Sequence, residues 1–133
     1  MKVPEKTVAE VVAEASAKMS EPNYSAVLVS GFVQTQRATS HYLTAHAREL
    51  GGPDGVVHTV FHAALIALCY QRANNRSIRT LTFEDLDRGA GGDTEQRLRT
   101  TQPFILDYIA ANVELAEMRT ILITLALAMD WAT

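Results

Sequence analysis

Two stretches of this chain, VFHAALIALCY at residues 60–70 and ILITLALAM at 121–129, are apolar on nearly every side when wound as helices. A helix apolar all round has no face to offer water, so it belongs in the centre of a fold with other elements laid over it. Two such helices must be covered by a chain of only 133 residues. The second stretch is half the length a bilayer needs, and Asp130 closes it. Both are therefore expected inside a protein core. The length suits one domain spanning 1–133. With 47% apolar and 20% charged residues, the composition is that of a packed globule.

The remaining sequence reads as helices and turns, with no alternation long enough to support a sheet and no internal repeat standing out. A first helix is predicted from Pro4 to about Met19, with Val8, Val11, Val12, Ala15 and Met19 as its apolar stripe. A second runs from Ser25 to Leu50. The polar stretch QTQRATSH is a point where it would break near residue 37, and Gly31 marks a bend or a close helix crossing. GGPDG at 51–55 is the clearest turn. A third helix comes next, capped by Asp54 and ending near Asn74, with Asn75 in the left-handed position.

Thr82 with Asp85 three residues on predicts a capping box and a short helix, Phe83 to Arg88. Asp93 with Gln96 repeats the signal, so another helix begins near Thr94, and Pro103 kinks or restarts it. The last helix is expected to be long, Pro103 to about Trp131, with Ile105, Ile109, Val113, Ala116 and Thr120 facing inward. The expected fold is all-α: a four- to five-helix bundle with a short helix in the loop after residue 81.

His58 and His62 stand one helical turn apart and share a face. Two imidazoles at this spacing can share a metal, but a site needs at least a third ligand. Cys69 lies roughly 10 Å of helix rise beyond His62, too far to help. Thr59 stands where a metalloprotease has its glutamate, and no Glu-x-x-His pair of a bundle metal site occurs. Packed, hydrogen-bonded structural roles are the first expectation for both histidines. As proton-transfer or ligand residues, His58 and His62 with Glu114 are the candidates. No cofactor is implied. The single cysteine, Cys69, excludes an intrachain disulfide and reads as a buried free thiol in a reducing compartment.

Arg72, Arg76 and Arg79 cluster without an intervening acid and are the candidate phosphate or nucleic-acid contacts. Five acids between Glu84 and Glu95 neutralise that region, and net charge is -3. No tight turn with a basic recognition helix can be placed, so nucleic-acid binding is not expected. GAGG at 89–92 lacks the phosphate-loop pattern and reads as a flexible linker, with a switch or lid as its functional alternative.

MKVPEKTVAEVV has no apolar core of a signal peptide, so the chain is read as cytoplasmic, with no membrane association. Lysine all but disappears after Lys18 in favour of arginine, a bias of GC-rich bacterial genomes. Four or five helices cover two central ones with difficulty. Self-association would complete the cover, with Leu122, Leu125, Leu127, Met129 and Trp131 as the interface. The expected role is therefore a non-enzymatic helical subunit or protein-interaction module. Its partner is itself, as a dimer or higher oligomer, or another protein. The alternative is a helical enzyme or a metal- or small-ligand-binding protein using the His58/His62 face.

Overall fold

A computed structural model of the chain describes residues 2–133. It is all-α, with eight helices and no strand among the described residues. They are α1 (Glu5–Lys18), α2 (Tyr24–Thr35), α3 (Arg37–Ala45), α4 (Pro53–Asn74), α5 (Phe83–Gly89), α6 (Thr94–Thr101), α7 (Pro103–Asn112) and α8 (Ala116–Trp131). The two apolar stretches lie in α4 and α8, which pack on each other through the middle of the molecule. Tyr70 of α4 is fully buried there and donates its hydroxyl to the Ala126 carbonyl of α8 at 2.9 Å.

The expected count of four to five helices is corrected to eight, because two of the predicted long helices are broken. The break at Gln36 divides the second: this residue ends α2 and opens α3 with φ −125° and ψ 66°. The expected long helix Pro103–Trp131 stops at Asn112. Val113 and Leu115 are extended, and the chain turns so that α8 can run back through the centre. The last carbonyls of a helix lack intrahelical donors. Here Arg119 donates its guanidinium to the carbonyls of Val113 and of Ala110, the latter at 3.1 Å. A cation at a helix C-terminus also suits the helix dipole. The inner stripe ends with the break: Ile105, Ile109 and Val113 are buried, while Ala116 and Thr120 are exposed.

The eight helices repeat one plan of four. In the first half α1, α2 and α3 all pack on α4; in the second α5, α6 and α7 all pack on α8. Contacts between the halves are reciprocal too, since α1 touches α7 and α5 touches α3. Equivalent residues carry equivalent bonds. Gln102 separates α6 from α7 with φ −142° and ψ 68°, as Gln36 separates α2 from α3. Thr35 and Thr101 each donate a hydroxyl to the carbonyl four residues back. His46 and Asn112 each donate to the carbonyl of the tyrosine four residues back, Tyr42 and Tyr108.

The two buried glutamines strap each half to the other. Gln36 accepts the Leu81 N–H at 2.8 Å and donates to the Arg79 carbonyl at 3.2 Å, holding the segment that leads into α5. Gln102 accepts the Val3 N–H at 2.8 Å, holding the segment that leads into α1, and donates to Asp130 at 2.7 Å. Val3 and Leu81 each stand two residues before their helix and are each 1% exposed.

Local signals behave as their chemistry requires. Thr82 and Asp85 form the capping box, and Asn75 takes the left-handed position at φ 55°. The N-cap of α4 is Gly52, not Asp54, because Pro53 takes the first helical position. Asp85 is buried and central to its region. It accepts the Thr82 N–H, two bonds from Arg79 and the Trp131 indole N–H. The Arg79 guanidinium holds its carboxyl well below the usual carboxylate range. Gly31 makes no close crossing; a side chain there would meet nothing within 4 Å. The crossing glycine is Gly89, where a Cβ would lie 2.6 Å from the Thr124 carbonyl oxygen of α8.

The GAGG linker is pinned rather than free. Arg97 donates to the carbonyls of Arg88, Gly89 and Gly91. No helix among the described residues is long and apolar enough to cross a membrane.

Candidate functional site

Which apolar residues stay uncovered is the first guide to a site. Leu122, Leu125 and Met129 have no exposed surface and Leu127 has 3%. Helices α4, α5, α6 and α7 pack over α8, so the reason for placing an interface there is gone. Trp131 is half-buried and engaged within the chain, through Asp85 at 3.2 Å and the Arg88 guanidinium 4.4 Å from its ring centre.

The uncovered apolar surface is elsewhere. Helix α2, YSAVLVSGFVQT, is strongly apolar yet buries only Phe32. Val27 is 68% exposed and Val33 40%, and nearby Met19 and Val57 are about half exposed. Helix α2 begins a turn earlier than its counterpart, and α1 is twice as long as α5. The first half therefore overhangs the common plan.

Under this overhang lies a groove of about 720 Å³ between α2 and α4. Met19, Ala26, Val29, Val57 and Phe61 supply apolar wall; Ser25, Ser30, His58 and His62 supply the polar groups. Among the described residues, no Lys, Arg, Asp or Glu lines it. Val57, His58, Phe61 and His62 fall on one face because 3.6 residues make a turn of α4. This volume is in the range of small-molecule sites, which are mostly apolar with a few placed polar groups.

His62 is the fixed polar group of this groove. Its Nδ1 is 2.8 Å from the hydroxyl of Tyr108, a buried residue of α7. The Tyr108 and Phe61 rings stand edge-on to the imidazole, with centres 5.9 and 5.8 Å away. Burial, with the charge of His58 adding to it, lowers the His62 pKa. Burial also raises the Tyr108 phenol far above its ordinary value. Both groups are therefore neutral near pH 7. His58 is exposed at the rim.

The other sequence candidates do not join this site. Glu114 is exposed in the break between α7 and α8. Among the described residues, no three His, Cys, Asp or Glu come together to hold a metal ion. Cys69 is buried, and burial pushes its thiol up to about 12, the reverse of an activated nucleophile. Arg72 pairs with Glu14 of α1 at 2.5 Å and Arg79 with Asp85 at 2.5 Å. Arg72 and Arg76 line one shallow hollow with Gln71, Asn75 and Ser77, and Arg76 and Arg79 line a second beside Trp131. Neither hollow is lined by all three arginines.

Sequence reasoning found the two histidines but not Tyr108, which approaches from a helix 46 residues away in the chain. It also missed α2 as the uncovered face. The signal was present, since YSAVLVSGFV is as apolar as α4 yet sits beside polar breaks at both ends. No protein-family model, curated protein or solved structure matches this chain.

Proposed function

We propose that this chain is a non-enzymatic binding protein whose site is the α2/α4 groove, with His62 as its orienting residue. This is the small-ligand reading of the His58/His62 face. One observation carries it: a groove of ligand size, walled by apolar side chains, has at its edge an imidazole held by a buried tyrosine. Held from behind, an imidazole offers a ligand one hydrogen bond in a set direction. A proton-transfer centre asks for a group that changes charge near neutrality, and burial moves His62 away from that condition.

The reading is tested by titrating the protein with an environment-sensitive naphthalene dye and with small apolar compounds, monitored by amide NMR. Shifts confined to Ala26, Val29, Val57, Phe61 and His62 are expected, and Val29→Trp, which fills the groove, should abolish them. Shifts spread evenly over the surface, or unchanged in Val29→Trp, would refute the site.

The exposure of α2 favours a second reading, self-association through this face rather than through 121–131. Val27 and Val33 would then be the contacts. Sedimentation velocity across a hundredfold range of concentration decides it. A dimer lost in Val27→Glu supports the reading; a monomer throughout ends it.

A further inference from the structure

We infer that the α2/α4 groove selects an uncharged apolar molecule carrying a hydrogen-bond acceptor, such as a ketone, ester or amide, and that the Tyr108–His62 pair makes the selection. This rests on the groove being a binding site and adds the class of molecule it takes.

Tyr108 is buried, and His62 Nδ1 is the hydrogen-bond partner of its hydroxyl at 2.8 Å. A buried hydroxyl has one proton to give and needs an acceptor for it. The acceptor present is Nδ1. In a neutral imidazole one nitrogen accepts and the other carries the proton. With Nδ1 accepting from Tyr108, the proton is on Nε2, and Nε2–H is the donor of the side chain that lines the groove. Tyr108 thus sets the tautomer from behind, as second partners do for histidines generally.

A donor in an apolar wall discriminates. A ligand with an oxygen acceptor satisfies it. A pure hydrocarbon covers it and leaves it without a partner, which is unfavourable. A carboxylate also offers an acceptor, but its charge would enter a groove lined by no Lys or Arg among the described residues, with His58 only at the exposed rim, and would give up hydration that one donor restores only in part. A cation offers Nε2–H nothing. The shape, polarity and proton placement select the same class: apolar body, neutral acceptor.

Three probes of one shape test this: 2-acetylnaphthalene, 2-ethylnaphthalene and 2-naphthoate. Each is titrated into the full chain near pH 7.5 and monitored by amide and imidazole nitrogen NMR. The ketone is expected to bind at the groove at least about tenfold more tightly than either of the others, with the His62 Nε2–H signal moving. In the free protein the His62 nitrogen pattern should be that of the Nε2–H tautomer. In Tyr108→Phe the tautomer is released, and the preference for ketone over hydrocarbon should fall several-fold while hydrocarbon affinity holds. An Nδ1–H tautomer in the free protein overturns the inference whatever the variant does. So does a hydrocarbon or naphthoate that binds as well as the ketone, although groove shifts would then leave the binding-protein reading standing. If none of the three perturbs the groove, both readings fall together.

Discussion

Gln36→Leu removes one of the two glutamine straps between the halves without changing side-chain volume much, and its consequence can be worked from the structure. Gln36 is 3% exposed and holds two backbone groups of the segment before α5. Without it, the Leu81 N–H stays buried with no acceptor, a penalty of about 1–3 kcal/mol. The Arg79 carbonyl loses a donor worth about 1 kcal/mol net. Leucine returns part of this, about 1 kcal/mol, by burying apolar in place of polar surface. The balance is a loss of about 1–3 kcal/mol, large against a total stability of about 5–15 kcal/mol for a domain. Urea unfolding monitored by circular dichroism measures it, and hydrogen exchange at the Leu81 amide reports the strap itself. Gln34→Leu is the control, since Gln34 is exposed and should change stability by no more than about 0.5 kcal/mol. If Gln36→Leu unfolds like the control and the Leu81 amide stays protected, the strap contributes nothing and the reasoning is wrong.

The same packing sets other expectations. Gly89→Ala should destabilise by about 1–3 kcal/mol in thermal unfolding, because its Cβ would press on the Thr124 carbonyl of α8. Gly31→Ala, with open space around it, should instead gain about 0.5–1 kcal/mol from helix propensity. A raised Tm for Gly89→Ala would contradict the close α5–α8 approach. His62 has its pKa lowered in the folded state, so the unfolded chain takes up the proton first. Stability should be level above about pH 6.5, the ordinary imidazole value, and decline as pH falls until native His62 protonates as well. Urea midpoints from pH 8 to 5 should show this slope reduced in His62→Gln; identical slopes would show that His62 is not its source. Leu127→Glu puts an unpaired charge at a position with 3% exposure and should lose helix content rather than yield a folded monomer. A folded variant with altered assembly would restore α8 as an interface.

The local parts of the fold were legible because their signals are local. Thr82 and Asp85 bond each other within a single turn, and Asn75, Gly51 and Gly52 act on their own backbone angles. Pro103 restarts a helix because it lacks an N–H. The break at 113–115 carries no proline or glycine. It depends on Arg119 reaching back to Ala110 and Val113, so periodicity ran through it. The candidate site was half legible for the same reason. His58 and His62 share a face by helical geometry alone, whereas Tyr108 joins them only when α7 is laid against α4.

By itself the sequence determined that this chain is helical, that α4 and α8 belong at its centre, and where the caps at Thr82 and Asp93 fall. Those outcomes depend on backbone propensity and on the hydrophobicity of a dozen neighbouring residues. Tertiary structure decided how the centre is covered. Two matching sets of four each wrap a central helix, α1–α3 on α4 and α5–α7 on α8, each set strapped to the other by a buried glutamine, and α2 is left with its apolar side to solvent. Burial is a property of the neighbours a residue acquires, not of the residue. The leucines and isoleucines of α8 and the valines of α2 therefore read alike along the chain as apolar runs, and end with opposite fates.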